Sequence, residues 1–170
     1  MNDEFKRKIV DLLDGHRIMT IATNRADGWP QATVVGYAND GLLIYSMIAR
    51  SGQKWANILG DSRVSIAIAR DTLDPLQIKG LSMAARAVEV TDAAERERVG
   101  TIFLKRYPEY KTMPPPAPGE MPLVRFTPVI VSILDYSKGF GHTDLVRTTD
   151  INLPEVIESP RQHWSLVAAD

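Results

Sequence analysis

The chain has 170 residues, 44% hydrophobic and 24% charged, with a net charge of −1 and no cysteine. This suits one globular domain with a full core; the near-neutral charge gives no general attraction to nucleic acid or anionic membrane. Without cysteine there are no disulfides, thiolate metal sites or thiol redox chemistry, and the early charges of MNDEFKRKIVDLL argue against a secretory leader.

Phe5, Ile9, Leu12 and Leu13 fall at i, i+4, i+7 and i+8, an amphipathic helix over 3–14 that Gly15 closes. Arg17–Asn24 is rich in strand formers. Asp27-Gly28 reads as a hairpin turn before the strand Gln31–Ala38, and Asn39-Asp40-Gly41 as a second turn before Leu42–Met47. Two consecutive hairpins make an antiparallel meander. A helix over Ser51–Leu59 follows, with Ser51 as its N-cap and Gly60 at its end.

That strand-to-helix turn is the most informative stretch. The first N–H groups of a helix lack intrahelical partners and its dipole favours negative charge there. Arg50 and Lys54 are therefore misplaced for the helix alone and well placed for an anion, a phosphate monoester above all.

Arg63–Ala69 (RVSIAIA) is a nearly continuous apolar strand, expected to be buried. Leu76–Val90 reads as one long strand with Gly80 as its bulge. Asp92 and Glu95 form a capping-box pattern for a helix that buries Val99, Ile102 and Phe103 and stops at Pro108. Tyr107–Pro122 holds six of the eleven prolines, a loop stiffened towards extended conformations whose composition suits disorder, a lid or a clasp over a neighbouring subunit. Leu123–Leu134 is a strand whose Pro128 implies an edge or a bulge. Gly139–Thr143 turns the chain into a short strand near Asp144–Thr148, and the tail from Asp150 is weakly patterned.

About six short strands with few helices favour a small antiparallel Greek-key barrel over a doubly wound parallel sheet. No dinucleotide or phosphate-loop glycine motif is present. His16, His142 and His163 show no metal-ligand spacing, so no metal is expected. Ser82 in GLSMA lacks the second glycine of a nucleophile elbow, so no hydrolase triad is expected.

The order of helix, strand, D-G-x-P turn, strand, turn, L-I-Y-S strand end, S-x-Q-K helix start and R-V-S-I-A-I-A strand resembles the pyridoxamine 5'-phosphate oxidase-like family over Ile9–Leu134. The resemblance implies a six-stranded split barrel over 1–149, with 150–170 a tail that covers the site or a partner. It also implies a cytoplasmic homodimer with FMN clefts at the subunit interface. Residue by residue, Ala32, Thr33 and Val34 would offer backbone groups to the flavin ring, and Tyr45, Ser46 and Met47 would lie by the ribityl chain. Arg50, Ser51, Gln53 and Lys54 would grip the phosphate, with Gln53 standing where the family often has a second cation.

Two further likenesses to the oxidases proper are incomplete. Gln77 lies near their strand glutamine without a fixed register. Arg161-Gln162-His163 matches their C-terminal R-x-H without its tryptophan- and arginine-rich surroundings. The function implied is an FMN-dependent oxidoreductase of a small organic substrate rather than the true oxidase. The alternatives are a deazaflavin-dependent reductase, a haem-binding or haem-degrading relative using His142 or His163, and a non-catalytic flavin binder. Trp29, Trp55 and Trp164 are open between packing and covering a ligand or partner.

Overall fold

The structure is a computed structural model that describes residues 2–150 and 153–156. Among them are three α-helices: α1 (Asn2–Asp14), α2 (Gln53–Gly60) and α3 (Ala93–Arg106). The strands are β1 (Ile18–Asn24), β2 (Pro30–Gly36), β3 (Ala38–Asp40), β4 (Leu43–Met47), β5 (Arg63–Ala69), β6 (Lys79–Glu89), β7 (Leu123–Asp135), β8 (Thr143–Asp150) and β9 (Leu153–Val156). All pairings are antiparallel, and the main path runs β2-β1-β5-β6-β7-β4-β3. This is a split barrel.

Nine strands stand among the described residues where the sequence suggests about six, for local reasons. The run Gln31–Ala38 breaks at Tyr37, whose side chain is buried and whose N–H is shared between the Arg17 carbonyl at 3.2 Å and the Tyr107 hydroxyl at 2.9 Å. The chain beyond it, β3, pairs with β4 across a turn at Gly41, whose φ of +58° suits glycine. At the other end, β8 pairs with β7 and carries β9, which lies against α1.

β7 forks the sheet. One edge pairs with β6 along its length, while the other pairs with β4 over Leu123–Phe126 and with β8 over Ile130–Leu134. Pro128 lies at the fork and supplies no N–H. Ala84 faces Ile130 and Ala85 faces Pro128, so Val129 is the extra residue of a bulge on β7. The bulge therefore belongs to Pro128, not to Gly80, which stays in register between Ala69 and Leu134. Gly80 is required for another reason: a Cβ there would sit 2.3 Å from the Ile68 carbonyl oxygen. The expected strand Leu76–Val90 is also shorter. A 3₁₀ turn over Pro75–Gln77, capped by Asp74 accepting from the Leu76 N–H at 2.9 Å, precedes β6.

β5 is not buried on both faces. Val64, Ile66 and Ile68 enter the core, while Ser65, Ala67 and Ala69 face outward. Its unbroken apolar look comes from small alanines on an exposed face. The main core gathers Met19, Ile21, Ile66, Met83, Phe126 and their neighbours beneath α1 and α2. A smaller cluster under α3 holds Tyr45, Val99, Phe103 and Tyr107, with Ile102 only partly buried against it. Among the described residues no helix is long and apolar enough to cross a membrane.

Candidate functional site

The candidate site lies where β4 passes into α2, beside the free edge of β2. Alternation along β4 sends Ile44 and Ser46 to the main core, and Tyr45 and Met47 to the cluster under α3. The Tyr45 hydroxyl donates to Glu95 at 2.9 Å, and Arg125 donates to both oxygens of the same carboxylate at 2.9 and 2.8 Å. Burial, with help from Glu95, pushes the Tyr45 hydroxyl up to about 12. Glu95 is thus not the second half of a capping box. Asp92 caps α3 alone, accepting from the Glu95 N–H at 2.7 Å. The Ser46 hydroxyl donates to the Gly36 carbonyl at 2.8 Å, tying β4 to β2. Both side chains are engaged in the fold, so this strand end offers a ligand chiefly its backbone.

The loop after β4 is pinned by the proline-rich segment of the same chain. The Ile48 and Arg50 N–H groups donate to Pro122 and Glu120 carbonyls at 3.1 and 2.9 Å. Arg50 Nε donates to the Gly119 carbonyl at 2.8 Å, its guanidinium pairs with Glu89, and its plane lies 4.9 Å from the Trp55 ring centroid. Arg50 is therefore a loop anchor. The N-cap of α2 is Gly52 rather than Ser51; Gly52 is extended, makes no side-chain cap bond, and leaves Ser51 exposed just ahead of the helix.

The first intrahelical bond of α2 comes from Trp55 N–H to Gly52 at 3.0 Å, so the N–H groups of Gln53 and Lys54 precede it. Buried Trp55 and Ile58 root the helix in the core. Asn57 Nδ2 donates to Thr23 Oγ1 on β1 at 2.9 Å and to Gln31 Oε1 on β2 at 3.0 Å, and Asn57 Oδ1 accepts from Gln53 Nε2 at 2.8 Å. Asn57 so fixes α2 against β1 and β2. Thr33, two residues beyond Gln31, shares its face of β2.

Two polar groups here lack partners. Lys54 is half-buried and makes no hydrogen bond or ion pair among the described residues, and burial lowers its pKa from 10.5. The Thr33 hydroxyl oxygen is buried and unbonded. Burying an ammonium without a counter-charge is costly, and so is burying an unpaired hydroxyl. β2 is a terminal strand, paired to β1 alone, which leaves one row of backbone groups free. Ala32 and Val34 turn their side chains to the exposed outer face.

The other sequence candidates lie elsewhere. Gln77 is in the 3₁₀ turn before β6. His142 precedes β8, its buried Nε2 beside the Asp144 carboxylate at 3.4 Å. Ser82 faces Ser132 across β6 and β7. Trp29 is exposed in its turn, and Arg161, His163 and Trp164 lie outside the described residues. Sequence reasoning missed Asn57 as the tether of α2; a buried asparagine on the apolar face of a helix was its one signal.

The sheet and the strand-to-helix turn define a split barrel. The sequence pattern of the pyridoxamine 5'-phosphate oxidase family matches residues 5–133, and the chain belongs to that family. No curated protein sequence matches it. Among solved structures it is similar to a heme binding protein of Mycobacterium smegmatis, at TM-score 0.70 and 21% identity over 86% of this chain and 58% of that one. The chain thus spans little more than half the length of that protein. It is also similar to the heme storage protein HutZ of Vibrio cholerae (TM-score 0.59, 18% identity, 72% and 88% covered) and to General Stress Protein 26 of Bacillus anthracis (TM-score 0.64, 18% identity, 85% and 98% covered). At these identities the likeness is one of fold.

Proposed function

We propose that this protein is a cytoplasmic FMN-binding oxidoreductase of a small organic substrate, its cofactor cleft completed by a second copy of the chain. The observation that supports this most directly is Lys54, a half-buried ammonium with no partner among the described residues, on the first turn of α2. A phosphate monoester would give it a counter-charge and would accept from the N–H groups of Gln53 and Lys54, with the Ser51 hydroxyl at hand. Thr33 Oγ1 and the free backbone edge at Ala32, Thr33 and Val34 suit the polar edge of a flavin ring. The backbone of Tyr45, Ser46 and Met47 would border the chain between ring and phosphate. Arg50 serves indirectly, by holding the loop to Glu89 and Gly119.

When bound, the flavin supplies the electron transfer; the chain supplies orientation, counter-charge and exclusion of water. Pyridoxamine 5'-phosphate is not the expected substrate, because the oxidases' C-terminal pattern is incomplete. The test is the absorption spectrum of freshly purified protein, followed by FMN titration. Flavin bands, and a Kd raised about 10- to 100-fold by Lys54→Ala, are expected. Unchanged affinity in that variant would remove the phosphate assignment.

A second reading rests on the heme-binding and heme-storage proteins that share the fold. Among the described residues His142 is the histidine nearest to that role, and its Nε2 would have to leave Asp144 to meet iron. A Soret band on haem addition, abolished by His142→Ala, would favour that reading over the flavin.

A further inference from the structure

A cavity of about 300 Å³ opens between the C-terminal half of α1 and the strand ends of β5 and β6. It shares no residue with the candidate cofactor site. Asp11, Leu12, Gly15 and His16 line its helical wall; Arg70, Thr72, Gln77 and Lys79 line the opposite one. The two walls differ in chemistry. The helical wall presents acceptors and the strand-end wall presents cations.

Three groups in it lack a counter-charge or a hydrogen-bond donor among the described residues. Arg70 donates to the Gly15 carbonyl but has no carboxylate partner among the described residues. Asp11 lines the same cavity, yet it lies beyond ion-pair distance of Arg70 and pairs with no other cation among the described residues. His16 Nδ1 stands 2.6 Å from the Leu12 carbonyl, which can only accept, so Nδ1 carries the proton. In the Nδ1–H tautomer Nε2 is a lone pair; it is buried and has no partner among the described residues. Lys79 adds charge on the far wall and makes only a long contact with Asp135, at 3.7 Å.

A simple anion would satisfy Arg70 and Lys79 but would meet Asp11 as a like charge. A simple cation would meet the converse. We infer that this cavity binds a small zwitterion of the α-amino-acid class, its carboxylate on Arg70 and Lys79 and its ammonium on Asp11 and His16 Nε2. The Gln77 amide is left to a polar side chain, the Thr72 hydroxyl being engaged with the Asp74 backbone at 3.3 Å. The volume lies at the small end of ligand sites, about 300–1,000 Å³, which suits a ligand of this size.

The test is ¹⁵N-edited NMR of the whole protein, titrated with the common L-amino acids and with two fragments that each keep one charge, acetate and methylammonium. Saturable shifts are expected at Gly15, His16 and Thr72, including the His16 Nε2 resonance. At least one amino acid is expected to bind more than about tenfold tighter than either fragment. Asp11→Asn, at an exposed helix position, should weaken that binding about tenfold or more with the rest of the spectrum unchanged. Arg70→Gln should act likewise. The inference is overturned if no amino acid gives a saturable shift below about 10 mM. It is overturned equally if acetate binds as well as the amino acids, or if Asp11→Asn leaves the affinity as it was.

Discussion

Lys54 is a residue whose cost and use point in opposite directions. Its ammonium is half-buried, unpartnered and held below its usual pKa by burial, so in the cofactor-free protein it destabilises the fold. Lys54→Met should therefore leave the thermal midpoint of the apoprotein unchanged or raised, while FMN no longer raises it as it does in the wild type. Calorimetry with and without FMN checks both halves. The charge also sets a pH dependence. An anion binds the protonated amine, so affinity is full below the Lys54 pKa and falls as pH rises through it, a window that begins below 10.5. FMN titrations at rising pH should show that loss in the wild type and not in Lys54→Arg, whose guanidinium stays charged. Lys54 was legible in the sequence because a cation opposes the dipole of the helix it begins. The Thr33 hydroxyl was not: the family resemblance put only the Thr33 backbone beside a flavin, and it takes the fold to show the hydroxyl buried and unbonded. The same packing reassigns Arg50, whose partner Glu89 and anchor Gly119 are far off in sequence.

At the scale of elements, the turns and strands follow local chemistry, and the departures arise where another element decides. Gly80 looked like a bulge because glycine often marks one. The neighbouring strand gives it a different meaning, since a Cβ there would collide with the Ile68 carbonyl at 2.3 Å. Gly80→Ala should lower stability by about 2–3 kcal/mol in denaturant unfolding, because the clash is with backbone that cannot rotate away. The α2–β5 junction makes a second case. The Asp61 carboxylate accepts from the Arg63 side chain at 2.9 and 2.7 Å, from the Arg63 N–H at 3.0 Å and from Asn24 at 2.9 Å. These bonds, the Arg63 side chain first, hold it well below the usual 3.8. A depressed carboxylate stabilises the fold above its unfolded pKa and loses that contribution as pH falls through the folded value. Asp61→Asn should thus melt below the wild type near neutral pH, and the gap should close as the pH drops below 3.8. A gap that persists in acid would assign the effect to packing.

For the whole molecule, the hairpin order was readable from turn signals, whereas the fork of the sheet at Pro128 was not, since it depends on which strands claim each half of β7. The outer face of the sheet follows from the same strands. Residues opposite one another in an antiparallel pair share a face. Ala22, Ala32, Val34, Ser65, Ala67 and Ser82 therefore lie together on the side away from the core, with Ile18 beyond them. Val34 is 63% exposed and Ile18 61% exposed, in a patch without charge until Arg63 and Arg86 meet at its margin. Strands of a solvated sheet normally alternate apolar with charged or strongly polar residues. A broad uncharged face of small residues is suited to burial against another flat surface, and a two-fold contact with a second copy offers one. Ala67 lies centrally on it, paired with Thr20 and Ser82. Ala67→Glu adds a charge pointing away from the core, so it should leave each barrel folded. Across a two-fold axis it would also bring like charges together, and sedimentation should show a monomer for the variant and, on the proposed two-fold contact, a dimer for the wild type. Because the free edge of β2 borders the same face, FMN affinity should fall in that monomer although Lys54 is intact. A monomer that still bound FMN at wild-type affinity would place the whole cofactor site within one chain.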